Sequence, residues 1–419
     1  MSHEKTSVTE ICHGLKGCHA SITRTRILYV VALHGLGITK EMILRWICLP
    51  FLVGLYSPTE GQPETVRDRS SEPSMSQGKP LLLGGDFHRR SFQQQVFVSP
   101  VVRDGWIVPG EGEAAEPVWG IENGLSVGLW PLPGPRGLIR IYTPYLEQPS
   151  KRVMNFIAVE PIVGGLRGYS ELEKSQLDNV PGKAMWTEAQ LTRDAQPKPA
   201  WKPAVPEITV IDGTPSLRFY LHVEPFSHGA RPILEVTLRK DRPHEVAFRT
   251  LQARGGEPME SCVLTATMGN YARVRRLSLK EKVVEAKSLW PEFNRVRPYA
   301  LGFAPPRTWS VEEMLVQEGD AIVAVTPDEK KPQEASYSEC TPSWWRYQGK
   351  WASQYWKTAA DPQLKVRVNG RVCYWGSQAE IPGGIAFENF ELEAPFDPKR
   401  MFVFGISSVL CQGFANIHK

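Results

Sequence analysis

An all-β fold, a large β-sandwich made of a double sheet, is what this chain predicts, and three observations predict it. Short runs rich in β-branched and aromatic residues recur along the chain, each bounded by Gly or Pro. Gly and Pro number 35 each among 419 residues, a content that favours many turns over long helices. Stretches of helical period are few, so a twisted, supersandwich-like pair of sheets with few short helices is expected.

The N-terminal part stands apart from that pattern. Residues 1–41 carry Cys12 and Cys18 and read as neither a domain nor a targeting segment. At Met42 a short basic stretch leads into the apolar run 46–56, of secretory length, and then into the polar exit Ser57-Pro-Thr-Glu-Gly. A membrane-spanning helix needs about 20 apolar residues, more than this run supplies. We therefore expect 1–41 to lie outside the mature protein and 42–61 to be a signal peptide. The protein is then secreted, or held in the periplasm or cell envelope. A buried core helix and a retained anchor are the alternatives, since no small-x-small cleavage site follows. Residues 62–80, rich in Ser, Pro, Arg and Glu, read as a linker.

From 81 to 410 the strand dominates. Expected strands cover 94–98, 125–129, 138–142, 155–159, 207–211, 217–223, 233–238, 262–267, 321–325, 364–368 and 401–405. Residues 274–289 have a mixed helical period, and Ser310 with Glu312 and Glu313 marks a short helix start. The Pro-, Lys- and Ala-rich stretch 193–206 is either a sub-boundary between two domains or a long loop over one rim of a single sandwich.

Charge and cysteine usage narrow the function. Beyond residue 61 the chain has 43 basic and 41 acidic residues, a balance that gives no footprint for nucleic acid. Four cysteines remain there, Cys262, Cys340, Cys373 and Cys411; they permit three double pairings and equally none. No C-x-x-C, H-E-x-x-H, G-x-S-x-G or G-x-G-x-x-G occurs, so neither a metal nor a cofactor is expected.

Candidate chemistry sits on four tracts. In 271–275, period-2 alternation puts Tyr271, Arg273 and Arg275 on one face, where Arg would neutralise a sugar carboxylate and a phenol would carry the proton. In 220–224, Tyr220, His222 and Glu224 share a face, and His beside a carboxylate is an acid–base pair. In 387–391, Glu388 alternates with Phe387, Asn389 and Glu391. A carboxylate in so apolar a setting must be paired or shifted, and Glu160, after the apolar run 156–159, raises the same question with Arg136, Arg140 and Arg167 nearby in sequence. The fourth tract is a crowd of aromatics, Trp344, Trp345, Tyr347, Trp351, Tyr355, Trp356, Tyr374 and Trp375, suited to stacking on a sugar ring or to a core. For the first two tracts a solvated strand face is the plain alternative.

The segments 119–124, 134–142, 155–161, 265–273 and 383–391 resemble a group of uncharacterised secreted bacterial proteins, a likeness that covers 85–408 and carries no chemistry with it. More loosely, the strand-rich layout looks like the large β-sandwiches of sugar mutarotases and polysaccharide lyases, and an analogy of fold does not fix function. These readings combine into an expectation of an exported carbohydrate-active protein, a lyase or epimerase. Tyr271, His222, Glu224 and Glu388 would be catalytic. Arg273, Arg275, Arg140, Trp344, Trp345, Trp356 and Trp375 would bind substrate. The partner is a carbohydrate ligand, with no nucleic acid and no membrane beyond the signal peptide. A non-catalytic sugar-binding module and a structural envelope protein are the rivals.

Overall fold

The structure, a computed structural model, describes residues 97–129, 136–143, 153–267, 273–293, 303–327, 350–373 and 380–407, all within the compact unit Ser74–Lys419. They form two antiparallel sheets of eleven strands each. The first runs β1 (Val101–Arg103), β2 (Trp106–Val108), β3 (Val118–Ile121), β4 (Ser126–Gly128), β5 (Leu138–Tyr142), β6 (Val153–Val163), β13 (Ser261–Thr267), β21 (Ala386–Glu393), β20 (Lys365–Arg371) and β16 (Ala304–Ser310). Here β7 (Leu166–Arg167) pairs with the far end of β6. The second runs β15 (Val283–Glu285), β14 (Val274–Ser278), β18 (Asp320–Pro327), β19 (Ser353–Ala359), β22 (Met401–Ser407), β12 (Glu245–Gln252), β11 (Pro232–Arg239), β10 (Thr214–Val223) and β8 (Met185–Glu188). In it β17 (Leu315–Gln317) pairs with β18 and β9 (Ile208–Ile211) with β10.

The expected all-β sandwich is what forms, and alternation explains how. Ile139, Ile157, Val159, Leu264, Phe390 and Val366 of the first sheet join Leu234, Val236, Phe248, Val323, Trp356 and Phe404 of the second in one continuous core. Burying each such side chain stabilises the fold by roughly 1.5–3 kcal/mol. Two polar contacts tie the sheets together inside it. The Trp356 indole N–H donates to the Phe390 carbonyl at 3.0 Å, and the Asn155 amide donates to Gln354.

Several expectations change. Residues 274–289 are not mainly helical: they form β14, β15 and only the short helix α1 (Ala286–Leu289). The β-branched content of 274–284 and the partner strand β18 outweigh the mixed period. The stretch 193–206 joins β8 to β9, and both of these pair with β10, so it begins and ends in one sheet. Ser310 precedes a single 3₁₀ turn, Val311–Glu313, and its hydroxyl donates to Glu312 at 2.5 Å without capping the backbone. Phe97 and Val98 lead into β1 without strand pairing. Cys262 and Cys373 are both buried, and burial pushes the Cys262 thiol, which is unpaired, up to about 12. Cys340 and Cys411, like the proposed signal segment and linker, lie outside the described residues.

Candidate functional site: an arginine held between carboxylates

The outer face of the first sheet, opposite the core, carries a charged cluster at its middle strands. It begins at the end of β6. Gly164 and Gly165 have φ of 58° and 72°, the left-handed geometry a tight reversal needs and that glycine adopts without a Cβ penalty. The chain therefore turns back on β6, pairing Arg167 with Ile162, and the Gly168 N–H donates to the Pro161 carbonyl at 2.8 Å. Ser170 extends the pairing: its hydroxyl accepts from the Val159 N–H at 2.8 Å and donates to the Gly137 carbonyl at 2.6 Å. Arg167 and Tyr169, two apart on this returning segment, lie on the face that Glu160 shares, and the turn at residues 170–172 brings Glu171 to the same cluster, where its charge acts on Glu160. On the neighbouring strands, register sets Val263 beside Glu160, Thr265 beside Glu391, and Glu391 beside Arg367.

Arg167 is the hub. Its guanidinium donates to Glu391 at two points, Nη1 to Oε1 at 2.9 Å and Nη2 to Oε2 at 2.7 Å, and also donates to Glu160 Oε2 and to Thr265 Oγ1 at 3.1 Å. Thr265 in turn donates to Glu391 Oε2 at 2.6 Å. Two carboxylates on one cation is the arrangement a buried Glu requires, because an unpaired buried charge is very costly. Burial lowers the affinity of Arg167 for its proton, but Glu391 and Glu160 outweigh that and hold it firmly charged. Burial, then the neighbouring Glu171 charge, pushes Glu160 well above the usual carboxylate range despite Arg167.

Glu171 completes the cluster. Burial pushes its carboxyl up to about 7, and its Oε2 is buried and accepts no hydrogen bond. Tyr169 lies beside Arg167, its ring 6.0 Å from the guanidinium carbon, and burial raises its phenol as well. A carboxyl that titrates near neutrality is placed to take and return a proton.

The segment carrying these residues is clasped in place. Arg136 donates to both oxygens of Asp178 and to the Gly182 carbonyl. Glu224 accepts from the Ser175 hydroxyl at 2.9 Å and from the Ala184 N–H at 3.0 Å. Lys183, buried, donates to the Lys174 and Pro225 carbonyls and pairs with Glu173.

The residues expected from sequence are scattered by comparison. His222 and Glu224 make no acid–base pair: Glu224 lies just past β10 as the clasp described above, while His222 stacks on Trp186 of β8. Arg275 does not align with an open face. Its pairing with β18 is irregular between Val274 and Arg276, and the guanidinium folds inward onto the carbonyls of Pro382, Gly384 and Ile385. Arg273 is fully buried with φ of 40°. Glu388 leaves the simple alternation, because the register of β20 and β21 shifts between Val368 and Gly370. Phe387 and Phe390 thus both reach the core, while Glu388 pairs with Arg371 at 3.3 Å. Trp356 lies between the sheets against Phe404 and Phe248, so neither face of its ring is open to a sugar. Arg140 does sit on the outer face of the first sheet, beside Phe156, and burial lowers its guanidinium to about 10. Tyr271, Trp344, Trp345 and Trp375 lie outside the described residues.

Sequence reasoning flagged Glu160, with Arg167 as a nearby partner, but not Tyr169, Glu171 or Thr265. The available signal was the alternating Arg167-Gly-Tyr-Ser-Glu171 directly after a Gly-Gly turn. Among the described residues no cluster of His, Cys, Asp or Glu could hold a metal ion, and no helix is long and apolar enough to cross a membrane. No protein-family model matches the chain, and no curated protein matches it significantly.

Proposed function

We propose that the protein is an exported carbohydrate-active enzyme that moves a proton on a neutral sugar, as an epimerase does, at the Arg167 cluster. The observation that carries this reading is Glu171, a carboxyl held near neutrality with one oxygen free, two residues on from Tyr169 and next to the hydrogen-bonded Glu160–Arg167–Glu391 frame. A second group, the phenol of Tyr169, would serve the opposite face of the sugar carbon. The cluster has three carboxylates, and its cations are already engaged. Arg167 lies between Glu160 and Glu391, and Arg367 reaches Glu391 at 3.8 Å and Glu393 at 4.0 Å. A uronate would find neither of these two cations uncommitted, which favours a neutral sugar over the acidic polysaccharide of a lyase.

Incubation with neutral aldoses in deuterated water tests this, with proton exchange and epimer formation followed by NMR. Glu171→Gln should lower the rate by about 10²–10⁴-fold while the fold is kept. Full activity in that variant would remove Glu171 from the mechanism. Unsaturated uronate products from an acidic polysaccharide would replace epimerisation by elimination. Export has its own test: N-terminal sequencing of the mature protein should begin after about residue 57.

A further inference from the structure

The outer face of the second sheet holds an unexplained feature. On it Tyr220, Ile233 and Leu251 form a small apolar cluster separate from the core, all of it buried. Such satellite clusters lie beneath long loops. The cover here is the strap 189–199. It leaves the end of β8, reaches the end of β12 and comes back. At the far side the Arg254 N–H donates to the Arg193 carbonyl at 2.8 Å, and Arg193 Nη1 donates to the Gln252 carbonyl at 2.6 Å. On the return, Lys198 pairs with Glu188 at 2.8 Å.

Beneath the strap, register places Trp186 of β8 beside His222 of β10. Their rings stack with centroids 5.6 Å apart and planes 12° apart, and each residue is only 3% exposed. Neither the Trp186 Nε1 nor the His222 Nε2 has a hydrogen-bond partner. Two orphaned nitrogens on stacked rings are unusual, because an unmade bond at a buried polar atom costs about 1–3 kcal/mol.

We infer that the strap closes over a second ligand site, in which the Trp186 indole N–H and the His222 Nε2 bind hydroxyl groups of a neutral sugar. The chemistry of the two atoms selects the ligand. The indole N–H only donates, and the Nε2 of the neutral imidazole stacked on it accepts when Nδ1 carries the proton, so sugar hydroxyl groups, which accept and donate alike, satisfy both. An anion would face the Glu188 carboxylate, whose neighbouring cation Lys198 is already paired with it. The strap is built to lift. Residues 191–194 are exposed, Ala195 is its one buried residue, and the Arg254–Asp194 pair at 3.1 Å is largely in solvent, where such pairs contribute little. This site is independent of the Arg167 cluster, which lies on the outer face of the other sheet.

The test is NMR on the ¹⁵N-labelled full chain, titrated in turn with D-glucose, D-galactose and D-mannose. The Trp186 indole signal is assigned by its loss in Trp186→Phe. One of the sugars should shift that signal and the His222 Nε2 resonance together and saturably, and His222→Phe should abolish the indole shift. Should either of these buried variants fail to fold, the exposed strap variant Arg193→Ala/Asp194→Ala supplies the answer. It should show the same shift with faster exchange. The inference is overturned if none of the sugars moves the indole signal, including the case where it contacts only a long-lived water. It is overturned equally if the shift survives His222→Phe.

Discussion

Arg167 and Glu391 meet in a two-point contact, at 2.9 and 2.7 Å, across 224 positions of sequence. The contact joins the hairpin end of β6 to the middle of β21 over the intervening β13. It places a fixed cation under the two groups, Tyr169 and Glu171, that the proposed chemistry needs.

Removing that cation should be costly. Arg167→Met leaves Glu160 and Glu391 buried without their partner, and breaking a buried pair from one side costs about 3–5 kcal/mol. Urea unfolding monitored by circular dichroism should show a loss of unfolding free energy of that size. Arg167→Lys should recover only part of it, because a point charge cannot reproduce the two-point contact. A neutral result for Arg167→Met would mean that the cluster is solvated and its carboxylates are not strained.

The pH dependence of stability should carry two opposing signatures. Burial raises Glu171 from 4.5 to about 7, so the folded state binds the extra proton in that window, and stability falls as pH rises through it. Burial lowers His222 from 6.5 to about 4, so there the unfolded state binds the extra proton, and stability rises with pH between those values. Glu171→Gln should therefore gain on the wild type above pH 7 and match it below pH 4.5. His222→Gln should flatten the acid limb between pH 4 and 6.5. Chemical denaturation across pH 4–8 reads both, and a parallel displacement of the whole curve in either variant would contradict the assignment.

The sheets were legible in sequence where strands announce themselves. Leu138–Tyr142 is bounded by Gly and rich in β-branched residues, and it forms β5 as expected. β19 was hidden, since Tyr355 and Trp356 sit among Gln354 and Lys357, which read as exposed. Lys357 and Tyr355 are in fact held by Glu245 at 2.7 and 2.8 Å, which allows a polar strand to sit in the middle of a sheet. The candidate site was half legible. Glu160 signalled itself as a carboxylate after an apolar run, but Glu391, which shares Arg167 with it, is brought up only by the pairing of β13 with β21. His222 and Glu224 looked like neighbours by spacing. Strand β10 ends at Val223, and that end sends Glu224 to the Ser175 loop instead.

The inter-sheet role of Trp356 gives a prediction that separates core from ligand contact. Its ring packs 4.8 Å from Phe404, and its N–H reaches across to the first sheet. Trp356→Ala should cost about 3–5 kcal/mol, as large-to-small core changes of aromatics do. Sugar affinity per folded molecule should not change. Calorimetric unfolding together with a binding titration distinguishes this from a stacking residue, whose loss would lower affinity and leave stability nearly intact.

The Gly383–Gly384 turn offers a paired comparison that isolates the Arg275 clamp. Both glycines have positive φ, 81° and 90°, so an alanine at either is strained by the backbone alone, by roughly 1 kcal/mol. Their surroundings differ. A Cβ at Gly384 would meet nothing within 4 Å, whereas one at Gly383 would lie 3.2 Å from the Arg275 guanidinium. That guanidinium cannot retreat freely, because it donates to the carbonyls of Pro382, Gly384 and Ile385. Gly383→Ala should therefore destabilise the protein more than Gly384→Ala does. In the background of Arg275→Ala the difference should vanish, since the crowding atom is gone. Thermal unfolding of the three single variants and two doubles closes this cycle. Equal costs for the two glycines in the wild-type background would show that Arg275 does not hold the turn, and would free it for the substrate-binding part its sequence position suggested.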